Sequence, residues 1–539
     1  MPEELNLALV HEAIAAAIPD RECIVWRDRR LTWAEVTDRS RRFASVLTTA
    51  GLGTHRALAD CAAWESPHDH VALYLHNGNE YLEALLGAAK ARAVAVNINF
   101  RYVADELRYV LDDARARAVV YHGAFAATLA QVLPELSAVE LLLQVDDGSG
   151  AELLPGAIPY EVALAEAEPA PPVGLSPDDL YILYTGGTTG MPKGVLWRQA
   201  DFIAACLGVA STTDDLVAAA ERADLRTLPA PPFMHGAAHW NAISAWLAGG
   251  TVVIQADTVR FDPVDLLDTV EAERVSSLLI VGDAFARPIV DELLARPRQL
   301  DLLRFLLTGG AVLSATVKAQ LLELVPQLRI VDVLGSSETG RQGVHQSDQH
   351  QSVEAGVFRP SPTAEVISAD RHRVLAPGDP ELGWLTQTGR VPLGYLGDPA
   401  KTAATFPSIG GVRHAVAGDR ARVRADGAIE LHGRDSVTIN TGGEKVFAEE
   451  VEQVLKQHVA VFDTLVVGRP SERWGQEVVA VVQLRPGSSP TDQELRAVVT
   501  AHLAAYKAPR AFIRVGGIAR SPSGKPDYRW AAEVASSSV

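Results

Sequence analysis

The chain has 539 residues and is acidic, with 49 Lys and Arg against 67 Asp and Glu and a formal net charge of −18. Its hydrophobic fraction of 47% and charged fraction of 22% are those of a soluble globular protein. The length exceeds what one hydrophobic core usually supports, so two or more domains are expected. The acidity argues against nucleic-acid binding, which needs a basic surface, but it does not exclude a local phosphate site.

Cysteine usage and hydropathy bear on the cellular compartment. Cys23, Cys61 and Cys206 are widely spaced and form no metal or redox motif, as expected in the reducing cytoplasm. The first residues have neither the basic region nor the apolar segment of an export signal. No apolar run approaches the ~20 residues that span a bilayer. We therefore expect a cytoplasmic protein without a transmembrane segment, and leave peripheral membrane contact and a homodimer open.

Strand and helix patterns alternate in the first part of the chain. Residues 31–47 predict a strand that leads into an amphipathic helix, with Thr32 as its N-cap and Glu35 three residues later. Apolar strands follow at 71–75 and 94–98, with helical patterns over 82–89 and 101–114. This alternation predicts an α/β sheet with helices on its faces.

A Gly- and Thr-rich segment follows a buried strand that is predicted at 181–184. Its residues are Thr185, Gly186, Gly187, Thr188, Thr189 and Gly190, and Lys193 comes soon after. Glycine lets backbone N–H groups approach an anion closely, while threonine hydroxyls donate hydrogen bonds and a lysine adds charge. The segment therefore predicts a phosphate site, with a flexible surface loop as the alternative. It differs from the common NTPase loop, because Lys193 is followed by Gly194 and not by Ser or Thr.

A second motif surrounds a histidine in an apolar segment. Its residues are Pro231, Pro232, Phe233, Met234, His235, Gly236, Ala237, Ala238, His239 and Trp240. Small side chains at 236–238 leave volume beside His235, so we predict a roomy pocket whose wall is shaped by His239 and Trp240. The alternative is a core histidine at a helix start that packs tightly against the sheet, which small residues serve equally well.

Two Gly-rich turns are predicted at the ends of parallel strands. Apolar strands are predicted at 277–281, 303–307 and 329–334. The second of these ends in Thr308, Gly309, Gly310 and Ala311, and the third in Gly335, Ser336, Ser337, Glu338, Thr339 and Gly340. Ligands of open parallel sheets bind beyond the carboxyl ends of the strands, so both turns are expected to face one crevice.

The composition changes after Gly433, and a smaller α+β unit is predicted beyond it. A helix is predicted from the spacing of Val451, Val454, Leu455 and His458, with strands near 465–468 and 478–484. Thr491 and Glu494 predict a capping box at the start of another helix. We therefore expect a large domain over 1–433 and a small one over 434–539. The Gly-punctuated segment 381–395 is assigned a structural role.

These motifs, in this order, resemble the adenylate-forming superfamily, which includes acyl-CoA synthetases, nonribosomal adenylation domains and luciferases. The segments that carry the resemblance are 181–197, 231–240, 335–340, 431–436, 441–446 and 520–525, so it covers nearly the whole chain. In overall style the chain most resembles actinobacterial fatty-acyl and steroid side-chain CoA ligases. The resemblance implies an α/β fold with a large N-terminal domain of layered sheets and a small, mobile C-terminal α+β lid.

The resemblance also implies roles for residues around the nucleotide. ATP or AMP would be bound by the segment 185–190 with Lys193, by 309–311, by 335–338, and by Asp419, Arg434 and Lys525. The first Gly-rich turn would pack on adenine, and Glu338 with Thr185 would bind Mg2+. Asp419 would accept the ribose hydroxyls, with a solvated turn residue as the alternative.

Further implied roles lie beside the acyl group, at the hinge and on the CoA side. The acyl pocket would be formed by His235, Gly236, Ala237, His239 and Trp240, and the CoA side by Gly442, Gly443, Glu444 and Lys445. Ser436 occupies the hinge position, where the family commonly has Asp or Lys. The implied catalytic residues are Lys525, Glu338, His235 and Lys193. Lys525 would supply the positive charge that lets a carboxylate approach the α-phosphate.

The implied activity is that of an ATP-dependent acyl-CoA synthetase for a hydrophobic acid, either a long-chain fatty acid or a steroid side-chain acid. The acid would become an acyl-AMP with release of pyrophosphate, and the acyl group would then pass to coenzyme A. ATP, Mg2+ and CoA are expected as cofactors, with a small-molecule carboxylic acid and no nucleic acid as partners.

Three alternatives stay open. A stand-alone adenylation enzyme would load a carrier protein, although no carrier domain follows Lys525. A luciferase-like oxidoreductase would share the first half-reaction and would consume oxygen. A non-catalytic acyl-adenylate binding protein is disfavoured, because Lys525 and Glu338 are both present.

Overall fold

The computed structural model describes residues 3–185, 191–350, 354–441, 444–471, 474–522 and 524–537. Seven predicted site residues lie outside this part, namely Gly186, Gly187, Thr188, Thr189, Gly190, Gly442 and Gly443. The side chains of Ser436, Glu444 and Lys445 lie outside it as well. The roles predicted for all of these residues stay predictions.

The N-terminal part of the chain builds an all-parallel sheet covered by helices. Its elements are α1 (Leu7–Ala17), β1 (Glu22–Trp26), β2 (Arg29–Thr32), α2 (Trp33–Thr49), β3 (His70–Tyr74), α3 (Asn79–Lys90), β4 (Val94–Asn97), α4 (Ala104–Asp113), β5 (Ala116–His122), α5 (Ala126–Val132), β6 (Leu141–Val145), β7 (Ile158–Pro159) and α6 (Tyr160–Glu166). Strands β4, β3, β5, β6 and β7 pair in that order, each parallel to its neighbour, whereas β1 and β2 join a different sheet. The predicted α/β alternation is confirmed.

Two predicted helix starts in this part have different outcomes. Thr32 caps α2 as predicted, because its hydroxyl accepts a hydrogen bond from Glu35 N at 3.2 Å and the Glu35 carboxylate accepts one from Thr32 N at 2.7 Å. The helix predicted from residue 101 begins only at Ala104. The reason is a turn centred on Asn99, whose side chain accepts a hydrogen bond from Arg101 N at 3.0 Å.

The middle of the chain builds a large mixed sheet and a small three-stranded sheet. The elements are β8 (Leu180–Thr185), β9 (Lys193–Arg198), α7 (Gln199–Ala205), α8 (Thr213–Arg222), β10 (Arg226–Pro229), α9 (Gly236–Leu247), β11 (Thr251–Ile254), α10 (Pro263–Ala272), β12 (Ser277–Ile280), α11 (Gly282–Ala295), β13 (Phe305–Gly309), α12 (Ala315–Leu324), β14 (Arg329–Ser336), β15 (Gly340–Ser347), β16 (Val357–Pro360), β17 (Ala364–Ile367), β18 (Gly383–Gln387), β19 (Gly394–Tyr395), α13 (Pro399–Thr405), β20 (Ser408–Ile409), β21 (Val412–Arg413), β22 (Asp419–Val423) and β23 (Ile429–Arg434). Strands β19, β9 and β8 form the small sheet.

The large sheet has thirteen strands, in the order β17-β18-β22-β23-β16-β15-β14-β13-β12-β10-β11-β1-β2. Its centre, from β14 to β1, is parallel, as predicted for the strands near 277, 303 and 329. Strands buried on both faces are apolar at nearly every position, and β12 is buried throughout. Helices α10, α11 and α12 cover this centre with a core that includes Leu267, Ile289 and Leu321.

The C-terminal part folds as a separate five-stranded sheet with three helices. Its elements are β24 (Thr438–Thr441), β25 (Glu444–Phe447), α14 (Ala448–Leu455), β26 (Val461–Ser471), β27 (Gly475–Leu484), α15 (Asp492–His502), β28 (Ala511–Val515) and α16 (Tyr528–Ser537). The capping box at Thr491 is confirmed. The prediction that His458 belongs to the preceding helix is wrong, since α14 ends at Leu455 and the chain then turns into β26. We call this unit the lid.

The lid and the large sheet carry separate hydrophobic cores. The lid core includes Val451, Val466 and Val482, all of them buried. The boundary between residues 433 and 434, at the end of β23, stays a prediction. Among the described residues, no helix is both long and apolar enough to cross a bilayer.

Candidate active site

The two Gly-rich turns lie side by side at one edge of the large sheet. β13 and β14 are parallel neighbours, with Gly309 in register with Val333, so the expectation that both turns reach the same edge is confirmed. Gly310 has a φ of +78°, and a Cβ at this position would lie 3.4 Å from Lys525 Cε. The first turn is therefore shaped by a backbone that favours glycine, and Lys525 of the lid lies directly against it.

The second turn is held by the three-stranded sheet. The Trp197 indole N–H on β9 donates to Ser337 O at 2.9 Å. The Tyr395 hydroxyl on β19 donates to Glu338 Oε1 at 3.0 Å. Because β19 pairs with β9, both contacts come from the same small sheet, which fixes Glu338 relative to the strand pair that flanks the predicted phosphate loop.

Tyr395 corrects one interpretation of the sequence. Segment 381–395 has more than the structural role that its pattern predicts, because its last residue contacts a predicted site residue. Burial raises the pKa of Tyr395, with the Glu338 carboxylate adding to the effect, so the phenol stays protonated and acts as the donor. The sequence shows only a Gly-punctuated β pattern, and nothing in it indicates that β19 pairs with β9.

The predicted phosphate loop joins β8 and β9, which are antiparallel. Thr185 and Lys193, the last and first residues of these strands, lie opposite each other. Lys193 Nζ lies 2.5 Å from Asp398 Oδ2 at the N-cap of α13. Partial burial lowers the pKa of Lys193, but the hydrogen bond and charge of Asp398 outweigh it, and the net change is upward. Lys193 thus has a fixed carboxylate partner that sequence reasoning missed.

Asn97 connects the phosphate-loop strand to the histidine motif. Its amide N–H2 donates to Tyr184 O at 2.9 Å and to Met234 O at 2.7 Å, and its Oδ1 accepts from Tyr184 N at 2.8 Å. One carboxamide therefore joins two separate segments through both its donors and its acceptor. The sequence pattern places Asn97 in a core strand, where the only signal of such a role is a polar residue in an apolar run.

His235 stands at the N-cap of α9, close to Lys525. Its Nε2 is buried and has no hydrogen-bond partner among the described residues. Burial lowers the pKa of His235 to about 3, and the positive charge of Lys525 contributes. The imidazole is neutral at physiological pH, and it presents a polar atom that a bound molecule can satisfy.

The small residues after His235 pack more tightly than the roomy pocket predicted. A Cβ on Gly236 would lie 2.8 Å from Leu183 Cδ2 and 3.3 Å from Trp240 Cε2. Ala238 is fully buried. At Gly236 and Ala238 the structure therefore matches the alternative, in which the start of the helix packs against the sheet. Ala237 and Trp240 are partly exposed.

A hydrogen-bond chain fixes the wall beside His235. The Trp240 indole N–H donates to the Tyr181 hydroxyl at 2.6 Å, and that hydroxyl bonds His239 Nε2. His239 Nδ1 bonds Phe233 O at 2.6 Å. A carbonyl can only accept, so Nδ1 carries the proton, and Nε2 accepts from Tyr181. Burial lowers the pKa of His239 to about 4, which keeps this neutral arrangement intact.

Asp419 and Arg434 form an ion pair across β22 and β23. They lie opposite each other in the strand register, and Arg434 Nε donates to Asp419 Oδ1 at 3.1 Å. The charge of Asp419 raises the pKa of Arg434, with a further contribution from Glu338. The pair is therefore close to the second Gly-rich turn.

Lys525 completes the site from the lid. Lys525 is exposed to solvent, yet the surrounding protein and the charge of Arg434 lower its pKa, while Glu338 and Asp419 act in the opposite direction. The turn that carries Lys525 is held by Arg520, which donates to Gly524 O at 2.9 Å and to both carboxylate oxygens of Asp463. Sequence reasoning missed Asp463, which lies far away in the chain.

Five predicted residues thus come together from distant parts of the sequence: His235, Glu338, Asp419, Arg434 and Lys525. Two cations and two carboxylates lie close together there, with Arg434 paired directly to Asp419, beside a neutral imidazole. Such an arrangement can bind a nucleotide through its phosphates and ribose, and can place a second anion near Lys525. Within the part of the chain that the structure describes, no group of three or more His, Cys, Asp or Glu side chains could hold a metal ion.

Two models of known protein families match most of the chain. A family model described as AMP-binding enzyme matches residues 11–396, and one described as AMP-binding enzyme C-terminal domain matches residues 450–525. The medium-chain acyl-CoA ligase Mig of Mycobacterium avium is 50% identical over 537 residues, which cover 98% of this chain and 97% of that protein. The 3-oxocholest-4-en-26-oate–CoA ligase of Rhodococcus rhodochrous is 37% identical, over 98% of this chain and 96% of its own.

Solved structures support the fold. The anthranilate CoA ligase AuaEII in complex with anthranoyl-AMP superposes with a TM-score of 0.83 at 21% identity, covering 99% of this chain and 98% of that one. The predicted α/β class, with a large sheet-rich part and a small C-terminal part, is confirmed. The matched family models span most of the sequence, and the chain belongs to the family of AMP-binding enzymes, as its motifs predicted.

Proposed function

We propose that this chain is an AMP-forming acyl-CoA ligase, which activates a hydrophobic carboxylic acid with ATP and transfers the acyl group to coenzyme A. The observation that carries the proposal is the position of Lys525, against Gly310 and close to His235, Arg434 and Glu338. Relatives that match the chain over nearly its full length are acid–CoA ligases.

In the first half-reaction the acid's carboxylate would attack the α-phosphate of ATP, and pyrophosphate would leave. Two anions must approach each other, and the ammonium group of Lys525 would offset their repulsion in the transition state. Arg434 would bind phosphate, while Asp419 would accept ribose hydroxyls. His235 is neutral, so it would offer a hydrogen bond without adding a charge that competes with Lys525.

The residues present fit a magnesium ion, which would neutralise phosphate charge when bound. Glu338 Oε1 accepts a hydrogen bond from Tyr395, while the other carboxylate oxygen bonds none of the described residues. Mg2+ prefers oxygen ligands and commonly takes one or two carboxylates together with substrate phosphates. Glu338, with the Thr185 hydroxyl, would therefore hold the ion.

In the second half-reaction the lid would rotate about Ser436 and withdraw Lys525. The loop that contains Gly442, Gly443, Glu444 and Lys445 would then face the adenylate and guide the CoA thiol. A free thiol has a pKa of about 8.5, so some thiolate is present at neutral pH without a dedicated base. Displacement of AMP by this thiolate would form the thioester.

The proposed substrate class is a medium-chain, long-chain or steroid side-chain acid. Tyr181 and His239, which belong to the hydrogen-bond chain beside the His235 motif, also line a mostly apolar cavity with Leu85, Ile182 and Phe202. Its volume of about 30 Å³ holds little more than one water molecule, so it would have to widen to take a hydrocarbon tail. An apolar lining favours a hydrocarbon tail over a polar one. The two ligase relatives act, by their names, on medium-chain acyl groups and on a steroid acid. We also propose a cytoplasmic location, and leave open whether the enzyme is a homodimer or contacts membranes peripherally.

The test is a panel of carboxylic acids that extends from short to long chains and includes a 3-oxo steroid side-chain acid. Each acid is incubated with ATP, Mg2+ and CoA, and AMP, pyrophosphate and the thioester mass are measured. We expect one AMP and one pyrophosphate for each thioester formed. Formation of acyl-AMP without CoA ester, or transfer only to an added carrier protein, would contradict the CoA step. Absence of pyrophosphate release with every acid would contradict the proposal as a whole.

A further inference from the structure

Helix α11 of the large domain lies against the lid. It carries a buried ion pair, in which Arg287 Nε and Nη2 both lie 3.3 Å from Asp283 Oδ2, one helical turn away. Both side chains are almost completely buried, at 7% and 3% exposure. A buried arginine must use its remaining N–H groups, or their desolvation is not compensated.

Arg287 uses them across the domain boundary. Its Nη2 donates to Lys456 O at 3.3 Å, and its Nη1 donates to Val461 O at 3.5 Å, both on the lid. Lys456 is the C-cap of α14, and the carbonyls at a helix C-terminus carry partial negative charge without a helical partner. Because α14 ends at Leu455, the carbonyl groups of Lys456 and Val461 are free to accept hydrogen bonds from Arg287.

The lid side of this contact leads to Lys525. Lys456 Nζ lies 3.2 Å from Asp463 Oδ1, and Asp463 is the residue that binds Arg520. Arg520 in turn holds the backbone of the turn that presents Lys525, through Gly524 O. One network of charged groups therefore connects the lid segment that Arg287 contacts to the turn that contains Lys525.

The other side of the contact leads to the nucleotide turn. Asp283 Oδ1 accepts a hydrogen bond from Ser314 N at 2.8 Å, three residues beyond Ala311. Next to the ion pair, Phe285 packs against Gly524, where a Cβ would lie 3.0 Å from the ring. α11 therefore contacts the first Gly-rich turn on one side and the Lys525 turn on the other.

We propose that Arg287, anchored by Asp283, is a positioning residue that holds the lid in the orientation in which Lys525 reaches the nucleotide. The proposal rests on the two half-reactions of the proposed function. Asp283 belongs to the same helix as Arg287, so the guanidinium keeps a counter-charge when the lid leaves. When the lid undocks, Arg287 therefore loses only its two carbonyl contacts, which water replaces, and its ion pair with Asp283 does not have to break. A buried arginine without such an anchor would make separation far more costly.

The experiment compares the half-reactions of Arg287→Ala with those of the unaltered enzyme. Acid-dependent exchange of pyrophosphate into ATP reports adenylation, and thioester formation from a synthetic acyl-adenylate and CoA reports the second step. We expect exchange to fall by about tenfold or more, since two charge-assisted hydrogen bonds are lost. The rate of thioester formation should change by less than about twofold, because the lid has left Arg287 in that step.

Two further variants separate positioning from folding. Arg287→Lys keeps the charge on Asp283 but cannot reach both carbonyls, so its exchange rate should lie between the other two. Arg296→Ala, at the C-cap of α11, removes a mostly exposed arginine that pairs with Glu292 at 2.8 Å, and should leave both steps unchanged. Equal losses in both steps of Arg287→Ala, or no loss in either, would overturn the proposal.

A spectroscopic measurement makes the outcome independent of rates. Spin labels at Leu294 on α11 and Val459 on the lid, which are 61% and 84% exposed, report the separation of the two domains. With ATP bound, Arg287→Ala should broaden and lengthen the distance distribution, and an unchanged distribution would refute the docking role. Failure of the proposed function would appear differently, as an unaltered enzyme that shows no acid-dependent exchange at all.

Discussion

Arg434 Nε lies 3.1 Å from Asp419 Oδ1, on neighbouring antiparallel strands at the predicted end of the large domain. The residue that would bind ribose and the one that would bind phosphate thus hold each other before a nucleotide arrives, which limits the entropy lost on binding. Ser436 follows two residues later. If the lid turns at Ser436, its axis would lie two residues from Arg434, which Asp419 already holds in place.

Replacing Lys525 with alanine should abolish most adenylation. We expect acid-dependent pyrophosphate exchange to fall by ~10²-fold or more, because a stabilising charge is lost at the position where two anions meet. Thioester formation from a supplied acyl-adenylate should persist. The matched control is Lys507→Ala, which removes a lid lysine paired with Glu450 at 2.7 Å. Undiminished exchange in Lys525→Ala would show that another group supplies the charge.

Gly310→Ala separates backbone strain from contact with Lys525. Gly310 has a φ of +78°, where an alanine costs about 1 kcal/mol, and the new Cβ would lie 3.4 Å from Lys525 Cε. Gly397 has a φ of +68° with no atom within 4 Å of an added Cβ. We expect both alanine variants to lose similar unfolding free energy in urea, but only Gly310→Ala to lose adenylation rate. Equal adenylation rates in Gly310→Ala and Gly397→Ala would mean that Lys525 does not lie against Gly310 during turnover.

Tyr395→Phe should weaken the response to magnesium. The variant loses one hydroxyl, which donates to Glu338 at 3.0 Å, and keeps the ring that packs on Phe406. Partners that orient a metal-binding carboxylate typically contribute ~10–100-fold to metal affinity. We expect the Mg2+ concentration for half-maximal exchange to rise by about tenfold. Tyr121→Phe, which removes a hydroxyl bonded to Gln144 in another sheet, serves as the control and should leave this concentration unchanged.

Trp240→Ala should shift the preferred acid towards longer or bulkier chains. The indole is held by Tyr181 and lies beside Gly236, so its removal opens volume next to the His235 motif. One methylene of fit in an apolar pocket changes kcat/KM by about tenfold or more. We expect the ratio of kcat/KM for a long acid over a medium acid to rise by about that factor. Trp240→Phe retains most of the volume, and a similar shift in that variant would implicate the lost hydrogen bond instead.

Glu449 should make the stability of the folded chain depend on pH. It lies against Gly433 with its Oε2 buried and unpaired among the described residues. Burial, with the charge of Glu452, raises the pKa of Glu449 from 4.5 to about 8. An acid with a raised pKa is protonated in the folded state, so its stabilisation is complete below pH 4.5 and is lost as pH rises through about 8.

Glu449→Gln tests this, since the amide is neutral at every pH. Between pH 4.5 and about 8, the unfolding free energy of the unaltered protein should fall by about 1.4 kcal/mol per pH unit relative to the variant. Urea unfolding at a series of pH values on both sides of 8 measures the difference. A constant difference across the series would mean that Glu449 has an ordinary pKa in the folded protein.

The sequence predicts most of the fold because local patterns carry it. Thr32 and Thr491 cap helices, as predicted from the glutamate three residues after each of them. The apolar strands at the centre of the large sheet pair in parallel, also as predicted. The pattern fails where side chains redirect the backbone. Asn99 delays α4 by a turn, and α14 ends before His458 although the apolar spacing continues.

The candidate site shows the same division. The shared edge of the two Gly-rich turns, which contain Gly310 and Glu338, can be predicted, because neighbouring parallel strands end on the same side of a sheet. Their partners Tyr395 and Asp398 cannot, since only strand pairing and tertiary packing bring them near. The tight fit at Gly236 is likewise set by Leu183, which the local sequence does not reveal.

The single carboxamide of Asn97 has a consequence for how the binding of one substrate affects the binding of the other. It is bonded both to the end of the strand that precedes the phosphate loop and to the backbone just before His235. A shift of that strand on arrival of ATP would be transmitted to the segment that we propose receives the acid, and the reverse holds equally. Linkage requires the two effects to be the same size, so ATP should change the dissociation constant of the acid by the factor by which the acid changes that of ATP.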